Sequence, residues 1–271
     1  MNSDATVPAK HARDASVPAT YIRRRTPAFE LVAHESIAPS IGALVEQHGT
    51  LYDWAAGLPQ VRALRGRAPV YVGDLPGTDV RIAVRHVWHG GLLAPLTSDR
   101  FRAPTRAPLE LANALRLHAA GIPTTDVLAY ALYPAGPGLR RVDVATRFIP
   151  DAADLGMVLA GLAPGISTEG ALPRVASLLE ALAMHTVLHP DLNVKNILLV
   201  PDRERGHTAF VIDVDVVQFD AGRPTAEVMG LNVARLLRSM RKWRARFGAV
   251  IDDGTLADFE ATCLASVRGS A

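Results

Sequence analysis

The feature that most constrains this chain is the run His189-Pro190-Asp191-Leu192-Asn193-Val194-Lys195-Asn196, together with the two strands after it. Ile197-Leu198-Leu199-Val200 comes at once as a short apolar strand. After the polar turn Pro201 to His207, a second strand, Ala209-Phe210-Val211-Ile212, delivers Asp213. An isolated His-x-Asp triplet carries little information, but the order loop Asp, Asn, strand, turn, strand, Asp is specific. Phosphoryl transfer from ATP asks for such a set. One carboxylate orients the acceptor hydroxyl, oxygen ligands hold magnesium against the phosphates, and a cation offsets their charge.

Protein-kinase-like enzymes present these groups in this order. The pattern therefore predicts Asp191 as the catalytic carboxylate, Asn196 and Asp213 as metal ligands, and His189 as a brace for the loop. Upstream, Arg85 ends the strand Ile82-Ala83-Val84, where a kinase would carry its phosphate-pairing Lys, and Glu110 near the start of the next helix is placed to orient it. Arg keeps the charge and forks across phosphate oxygens, though it is not a neutral exchange for Lys. The candidate phosphate-covering turn is Arg65-Gly66-Arg67-Ala68-Pro69, in which Gly66 and Arg67 are the nucleotide-facing residues and only one glycine is present.

The texture of the chain agrees with an α+β, protein-kinase-like, two-lobed fold. Residues 1–25 are polar and end in Arg23-Arg24-Arg25, which reads as a disordered leader. Residues 26–150 form the expected small, antiparallel, β-rich N-lobe. Val70-Tyr71-Val72 and Val80 to Val84 flank a Gly/Pro turn and predict a hairpin. Leu109 to Ala120 reads as a helix stopped by Gly121-Ile122-Pro123, and strands fit Val127 to Leu132 and Arg141 to Phe148. Residues 151–271 read as a mainly helical C-lobe, with helices over Leu172 to Met184 and Glu227 to Phe247. In the latter, Met229, Val233, Leu236, Met240, Trp243 and Phe247 make one apolar stripe.

Composition narrows the class further. Hydrophobic residues make up 49% of the 271 and charged residues 21%, enough for a substantial core. The net charge of +2 gives no support to nucleic-acid binding. The single cysteine, Cys263, excludes an internal disulfide and suits a reducing compartment, where it reads as a small buried hydrophobe in a terminal helix. The N-terminus lacks the apolar run of a signal peptide, and no stretch reaches the length of about 18 apolar residues that a membrane span needs. A cytoplasmic protein is expected.

Several segments resemble the bacterial lipopolysaccharide-core kinases, in particular the 3-deoxy-D-manno-octulosonic acid (Kdo) kinases. They are Val84-Arg85-His86-Val87-Trp88-His89-Gly90-Gly91-Leu92, Thr105-Arg106-Ala107-Pro108-Leu109-Glu110, and His189-x-Asp191-Leu192-Asn193-x-x-Asn196-Ile197-Leu198-Leu199. Ile212-Asp213-Val214-Asp215, then Asn232-Val233-Ala234-Arg235-Leu236 and Arg238-Ser239-Met240, complete the likeness, which runs from about Arg65 to Lys242. In that family Arg stands where protein kinases have Lys. The approach His185-Thr186-Val187-Leu188 is shorter than usual there, and Pro190 sits inside the loop.

The resemblance implies ATP with magnesium as donor and a hydroxyl of Kdo on lipid A as acceptor. It implies that Asp191 orients that hydroxyl, that Asn196 and Asp213 hold the metal, and that Arg85, placed by Glu110, steadies the phosphates. Adenine is expected beside Thr146 to Pro150, against Phe148 and Ile149. A lipid-linked acceptor makes Arg100, Arg102 and Arg106, and Arg238, Arg241 and Lys242 on the long helix, candidates for contact with lipid A or with the anionic cytoplasmic face of the inner membrane. Two other readings stand beside this one. One is a small-molecule, antibiotic or protein kinase of the same fold; the other is a pseudokinase that binds partners without catalysis.

Overall fold

The computed structural model describes residues 17–59, 62–64, 69–88, 99–204, 206–248 and 251–267. The chain forms two compact units: residues up to Ala112 with Asp126–Phe148, and Asn113–Thr125 with the residues from Ile149 onward.

The first unit is built on an antiparallel sheet of eight strands: β1 (Tyr21–Arg25), β2 (Glu30–His34), β3 (Arg62–Leu64), β4 (Val70–Asp74), β5 (Arg81–His86), β6 (Phe101–Arg102), β7 (Val127–Pro134) and β8 (Leu139–Arg147). Their spatial order is β1-β2-β7-β8-β5-β4-β3, with β6 beside β8. The expected hairpin is β4–β5, registered Val70 to Arg85 and Asp74 to Arg81. Gly77 takes a positive φ of 73° in its turn, a conformation that favours glycine.

Two helices that the sequence reading leaves unassigned, α1 (Ala38–His48) and α2 (Leu51–Ala56), join this sheet in one core. Ile41, Leu44 and Val45 recur at helical spacing on α1. With Leu51 and Trp54 of α2 they pack among Leu31, Ile82, Val84, Ala129 and Tyr133. Gly49 ends α1 at φ 83°, and Thr50 caps α2 by accepting the Asp53 N–H.

The structure corrects two expectations. Residues 21–25 are not leader: Tyr21–Arg25 is a strand paired with β2 along its whole length, Tyr21 opposite His34 and Arg25 opposite Glu30. Tyr21 is buried, its hydroxyl donating to the Val127 carbonyl at 2.7 Å. The arginines are tethered on the surface, Arg23 and Arg25 to Glu30 and Arg24 to Glu46. The polar composition of the segment conceals this because only one residue of the five faces inward. The boundary also differs, since residues 113–125 belong with the second unit rather than with a lobe running to residue 150. Helix α3 (Ala107–Ala119) ends at Gly121, φ 69°, and the next residues bind the second unit. The Val211 N–H donates to the Pro123 carbonyl at 3.0 Å, and the Thr124 hydroxyl donates to the Val211 carbonyl at 2.6 Å.

The second unit is mainly helical: α4 (Leu155–Leu159), α5 (Thr168–Met184), α6 (Thr225–Phe247) and α7 (Asp253–Ser266). Helix α5 begins before the expected Leu172, because Ser167 caps it and Pro173 is accommodated near its start. The central hairpin is β11 (Ile197–Asp202) with β12 (Gly206–Val211), flanked by β9 (Ala153–Asp154). A second pair, β10 (Val187–Leu188) with β13 (Gln218–Phe219), frames the loop that starts at His189. The α6 stripe is buried at Met229, Val233, Leu236 and Met240, and Cys263 of α7 is fully buried, as expected. Burial raises its thiol pKa to about 12. Among the described residues no helix is long and apolar enough to cross a membrane.

Candidate active site

The loop from His189 to Asn196 is held by hydrogen bonds to its own backbone and to α6. Asn232, fully buried, accepts the His189 N–H at 3.0 Å and donates to the Val187 carbonyl at 2.9 Å, so one amide grips both ends of Leu188. Ser239, two helical turns on, accepts the Val194 N–H at 3.1 Å. Within the loop, Asn193 donates to the Asp191 carbonyl at 2.8 Å and accepts the Lys195 N–H at 2.9 Å. Asn196 donates from Nδ2 to the same Asp191 carbonyl at 3.0 Å. With its nitrogen so anchored, Asn196 presents Oδ1 as the remaining polar end of its amide.

The second strand brings Asp213 to this point. Ile197 pairs with Val211, and one step further the Ile212 N–H donates to the Asn196 carbonyl at 2.9 Å. Asp213 comes immediately after, with φ 61° and ψ 49°, a left-handed conformation that Asp tolerates better than most residues. The structure thus brings Asp191, Asn196 and Asp213 to one end of the β11–β12 hairpin. Both carboxylates are exposed while Asn196 is buried.

His189 lies beneath them, fully buried, with Nε2 donating to the Ile212 carbonyl at 3.3 Å. A carbonyl can only accept, so Nε2 carries the proton of a neutral ring. Burial depresses its pKa below the ordinary value, against smaller opposing effects of the Ile212 carbonyl and of Asp213 and Asp191. The ring thus ties the start of the loop to the residue before Asp213.

Helix α5 ends at Met184 and Thr186 takes φ 52°, its carbonyl accepting the Asp220 N–H at 2.9 Å. Pro190 falls between His189 and Asp191, where its missing N–H costs no strand pairing. Asp215 belongs to the short 3-10 turn after Asp213, and this turn is held by Asn113 of α3, which donates to the Val214 carbonyl at 2.8 Å.

In the first unit, Arg85 of β5 pairs with Glu110 of α3, a largely buried carboxylate, as expected. The turn containing Gly66 and Arg67 lies outside the described residues. Of the crossing segment, the Phe148 N–H is engaged by the Arg81 carbonyl at 3.0 Å and the Arg147 N–H by the Asp126 carbonyl at 2.9 Å. Pro150 has no N–H, so Ile149 supplies the one amide there that is not bonded to backbone among the described residues. Arg100, Arg102 and Arg106 are exposed, as are Arg238, Arg241 and Lys242 on α6.

Sequence reasoning assigns no role to Asn232, Ser239, Asn113 or the buried acids beside His86, although Asn232, Ser239 and His86 stand inside segments that carry the family likeness. It also passes over Lys195, which pairs with Asp154 at 2.9 Å and lies 4.7 Å over the Trp243 ring. Among the described residues no cluster of three or more His, Cys, Asp or Glu exists that would bind a metal without substrate. The donor set at the hairpin, an amide oxygen and a carboxylate, is instead the hard-oxygen kind that suits magnesium shared with phosphates.

Residues 54–252 match the model of the lipopolysaccharide kinase (Kdo/WaaP) family. A 3-deoxy-D-manno-octulosonic acid kinase of Actinobacillus succinogenes is 31% identical over 180 residues, 65% of this chain and 72% of that protein. A protein of the same name from Haemophilus influenzae strain Rd is 30% identical over 66% of this chain and 73% of its own length. Among solved structures, WaaP in complex with acyl carrier protein is similar at a TM-score of 0.46 and 18% identity, covering 86% of this chain and 97% of that one.

Proposed function

The chain belongs to the lipopolysaccharide kinase (Kdo/WaaP) family, and from that premise we propose that it transfers the γ-phosphoryl group of ATP to a hydroxyl of Kdo on lipid A. The observation that carries the reading is the gathering of Asp191, Asn196 and Asp213 at one end of the β11–β12 hairpin.

In this reading the exposed Asp191 carboxylate accepts a hydrogen bond from the sugar hydroxyl and sets its oxygen toward the γ-phosphorus. The new P–O bond forms as the bond to the β–γ bridging oxygen breaks, the hydroxyl proton passes to Asp191, and ADP leaves. Asn196, through Oδ1, and Asp213 would hold magnesium, which when bound neutralises charge on the phosphate oxygens. Arg85, oriented by Glu110, serves the phosphates, and the Ile149 amide is the group offered to adenine. The neutral His189 keeps the loop in shape and does not compete for the proton.

An anionic, lipid-linked acceptor is supported by the cations of α6. Arg235, Arg238, Lys242 and Arg246 recur at gaps of three and four and so form one stripe. Arg235 and Lys242 are the near neighbours of Ser239, the residue that holds the Val194 amide of the loop. Phosphates of lipid A, or of anionic lipid at the cytoplasmic face of the inner membrane, fit this stripe, with Arg241 at its margin away from the loop.

The test is incubation of purified protein with labelled ATP, magnesium and Kdo-lipid A, with aminoglycosides and a generic protein as parallel acceptors. Label on Kdo-lipid A, abolished by Asp191→Asn, is expected. Label only on another acceptor would replace the substrate, and no transfer to any acceptor would favour the pseudokinase reading. Reversal of charge at Arg238 and Lys242 is expected to weaken pelleting with anionic liposomes.

A further inference from the structure

His86, the residue after Arg85, sits in a network that the transfer reaction does not use. Neighbouring residues of a strand point to opposite faces, and while Arg85 reaches Glu110, His86 turns to two carboxylates. Its Nδ1 lies 2.6 Å from Asp143 Oδ1, and its Nε2 lies 3.1 Å from Asp99 Oδ2. Asp143 stands directly across the sheet on β8 and is fully buried, its other oxygen accepting the Tyr52 N–H at 2.9 Å. Asp99, just before β6, is also bound by Arg141 at 2.7 Å.

Two ionised carboxylates can only accept, so a ring that satisfies both must donate from both nitrogens, which is the imidazolium form. A neutral ring would leave one nitrogen lone pair facing a carboxylate, and Asp143 would become a buried charge that no other ion pair offsets among the described residues. Burial alone would lower the His86 pKa, but hydrogen bonds and charge from Asp143, then Asp99, outweigh it and hold the ring above its ordinary value.

We propose that His86 is a positioning residue for the nucleotide: as an imidazolium clamped between Asp143 and Asp99, it fixes the end of β5 and so the aim of Arg85. Strands β5 and β8, the residue Asp99 before β6 and helix α2 meet at this ring. Tyr52 of α2 lies 5.4 Å from it, packs at a tilt against Tyr71 of β4, and donates its hydroxyl to the Pro69 carbonyl at 3.1 Å. Trp88 closes the ring edge-on at 5.2 Å.

The groups facing the ring are therefore Asp143 of β8, Asp99 with its partner Arg141, and Tyr52. The Tyr52 pKa is raised to about 12, chiefly by burial, so it stays neutral. When the ring loses its proton, the longer contact, to Asp99, is the one that opens. Because the His86 value is raised, the clamp is complete below the ordinary histidine pKa of about 6.5 and is lost as pH rises through the higher one.

This inference rests on Arg85 serving the phosphates, as in the proposed kinase reaction. In the full-length protein, the His86 ring is expected to show both N–H protons and imidazolium nitrogen shifts in proton–nitrogen NMR spectra at neutral pH. The KM for ATP should rise on the alkaline side, over the same pH range in which that signal titrates. His86→Gln is expected to raise the KM for ATP about tenfold with a much smaller change in kcat, the mark of lost binding rather than lost chemistry, and to erase the alkaline step. Asp143→Asn keeps the shape while removing the buried charge, so it should move the step to lower pH even if His86→Gln folds poorly. A neutral ring at pH 7, or an ATP KM unmoved by pH and by both substitutions, would overturn the proposal while leaving the kinase reading intact. Failure of the unaltered protein to bind ATP would overturn both.

Discussion

Asn196 and Asn193 both donate to the backbone carbonyl of Asp191, at 3.0 and 2.8 Å. A carbonyl has two lone pairs, and here both are engaged. The backbone of Asp191 is thereby fixed while its carboxylate stays exposed, and the five-residue spacing from Asp191 to Asn196 is what lets one side chain close the loop.

Asn196→Asp separates geometry from charge. The new carboxylate oxygen would face the Asp191 carbonyl where Nδ2 now donates, so the loop loses a bond and gains a repulsion although a potential metal ligand is added. We expect activity to fall about 10–100-fold, as when a group that orients a ligand is lost, with a higher magnesium requirement. Steady-state rates across a magnesium titration measure this, and full activity at ordinary magnesium would show that the bond from Asn196 Nδ2 to the Asp191 carbonyl is not what holds the loop.

Asp213→Asn is the informative change at the second ligand position because Asn also adopts the left-handed backbone found there, φ 61°. Folding should be retained, with a melting temperature close to that of the unaltered protein, while transfer is lost. Retained transfer at saturating magnesium would show that this carboxylate is not a ligand.

Asn232→Ala tests the support beneath the loop. It leaves the His189 N–H and the Val187 carbonyl buried without their partner. Each such group costs about 1–3 kcal/mol, so urea denaturation should reveal a loss of about 3 kcal/mol for the pair. A loss below about 1 kcal/mol would mean that the two groups find other partners.

Gly156→Ala tests close packing at the start of α4. A methyl group there would lie 2.8 Å from the Trp243 ring and 3.0 Å from Asp154 Oδ1. Overpacking of this kind costs about 1–3 kcal/mol, and pairing it with Trp243→Leu should restore part of the loss in a denaturation curve. No recovery in the double variant would place the strain elsewhere.

The sequence reads well where partners are close along the chain. The Asp191–Asn196 loop, the β11–β12 hairpin and Asp213 all lie within 23 residues, and strand periodicity with one polar turn sets their register. Arg85 and Glu110 are legible because strand end and helix start are each marked locally. The role of Asn232 is not, since its partners precede it by 43 and 45 residues and its bonds are made to backbone, which leaves no residue pattern to read. Strands of two residues, such as β10 and β13, are too short to show alternation. Pro173 hides the true start of α5, and the mixed polarity of α1 and α2 hides the helices that complete the first core.

Strand β1 stands at one end of the sheet order, paired only with β2 among the described residues. An open strand edge is a template for pairing with another chain, and proteins commonly guard such edges with fixed charge. Arg23, Arg24 and Arg25 put three exposed cations on this strand, each paired with Glu30 or Glu46. A guarding role for these cations predicts that neutralising all three first appears as concentration-dependent aggregation, with turnover in dilute solution unchanged.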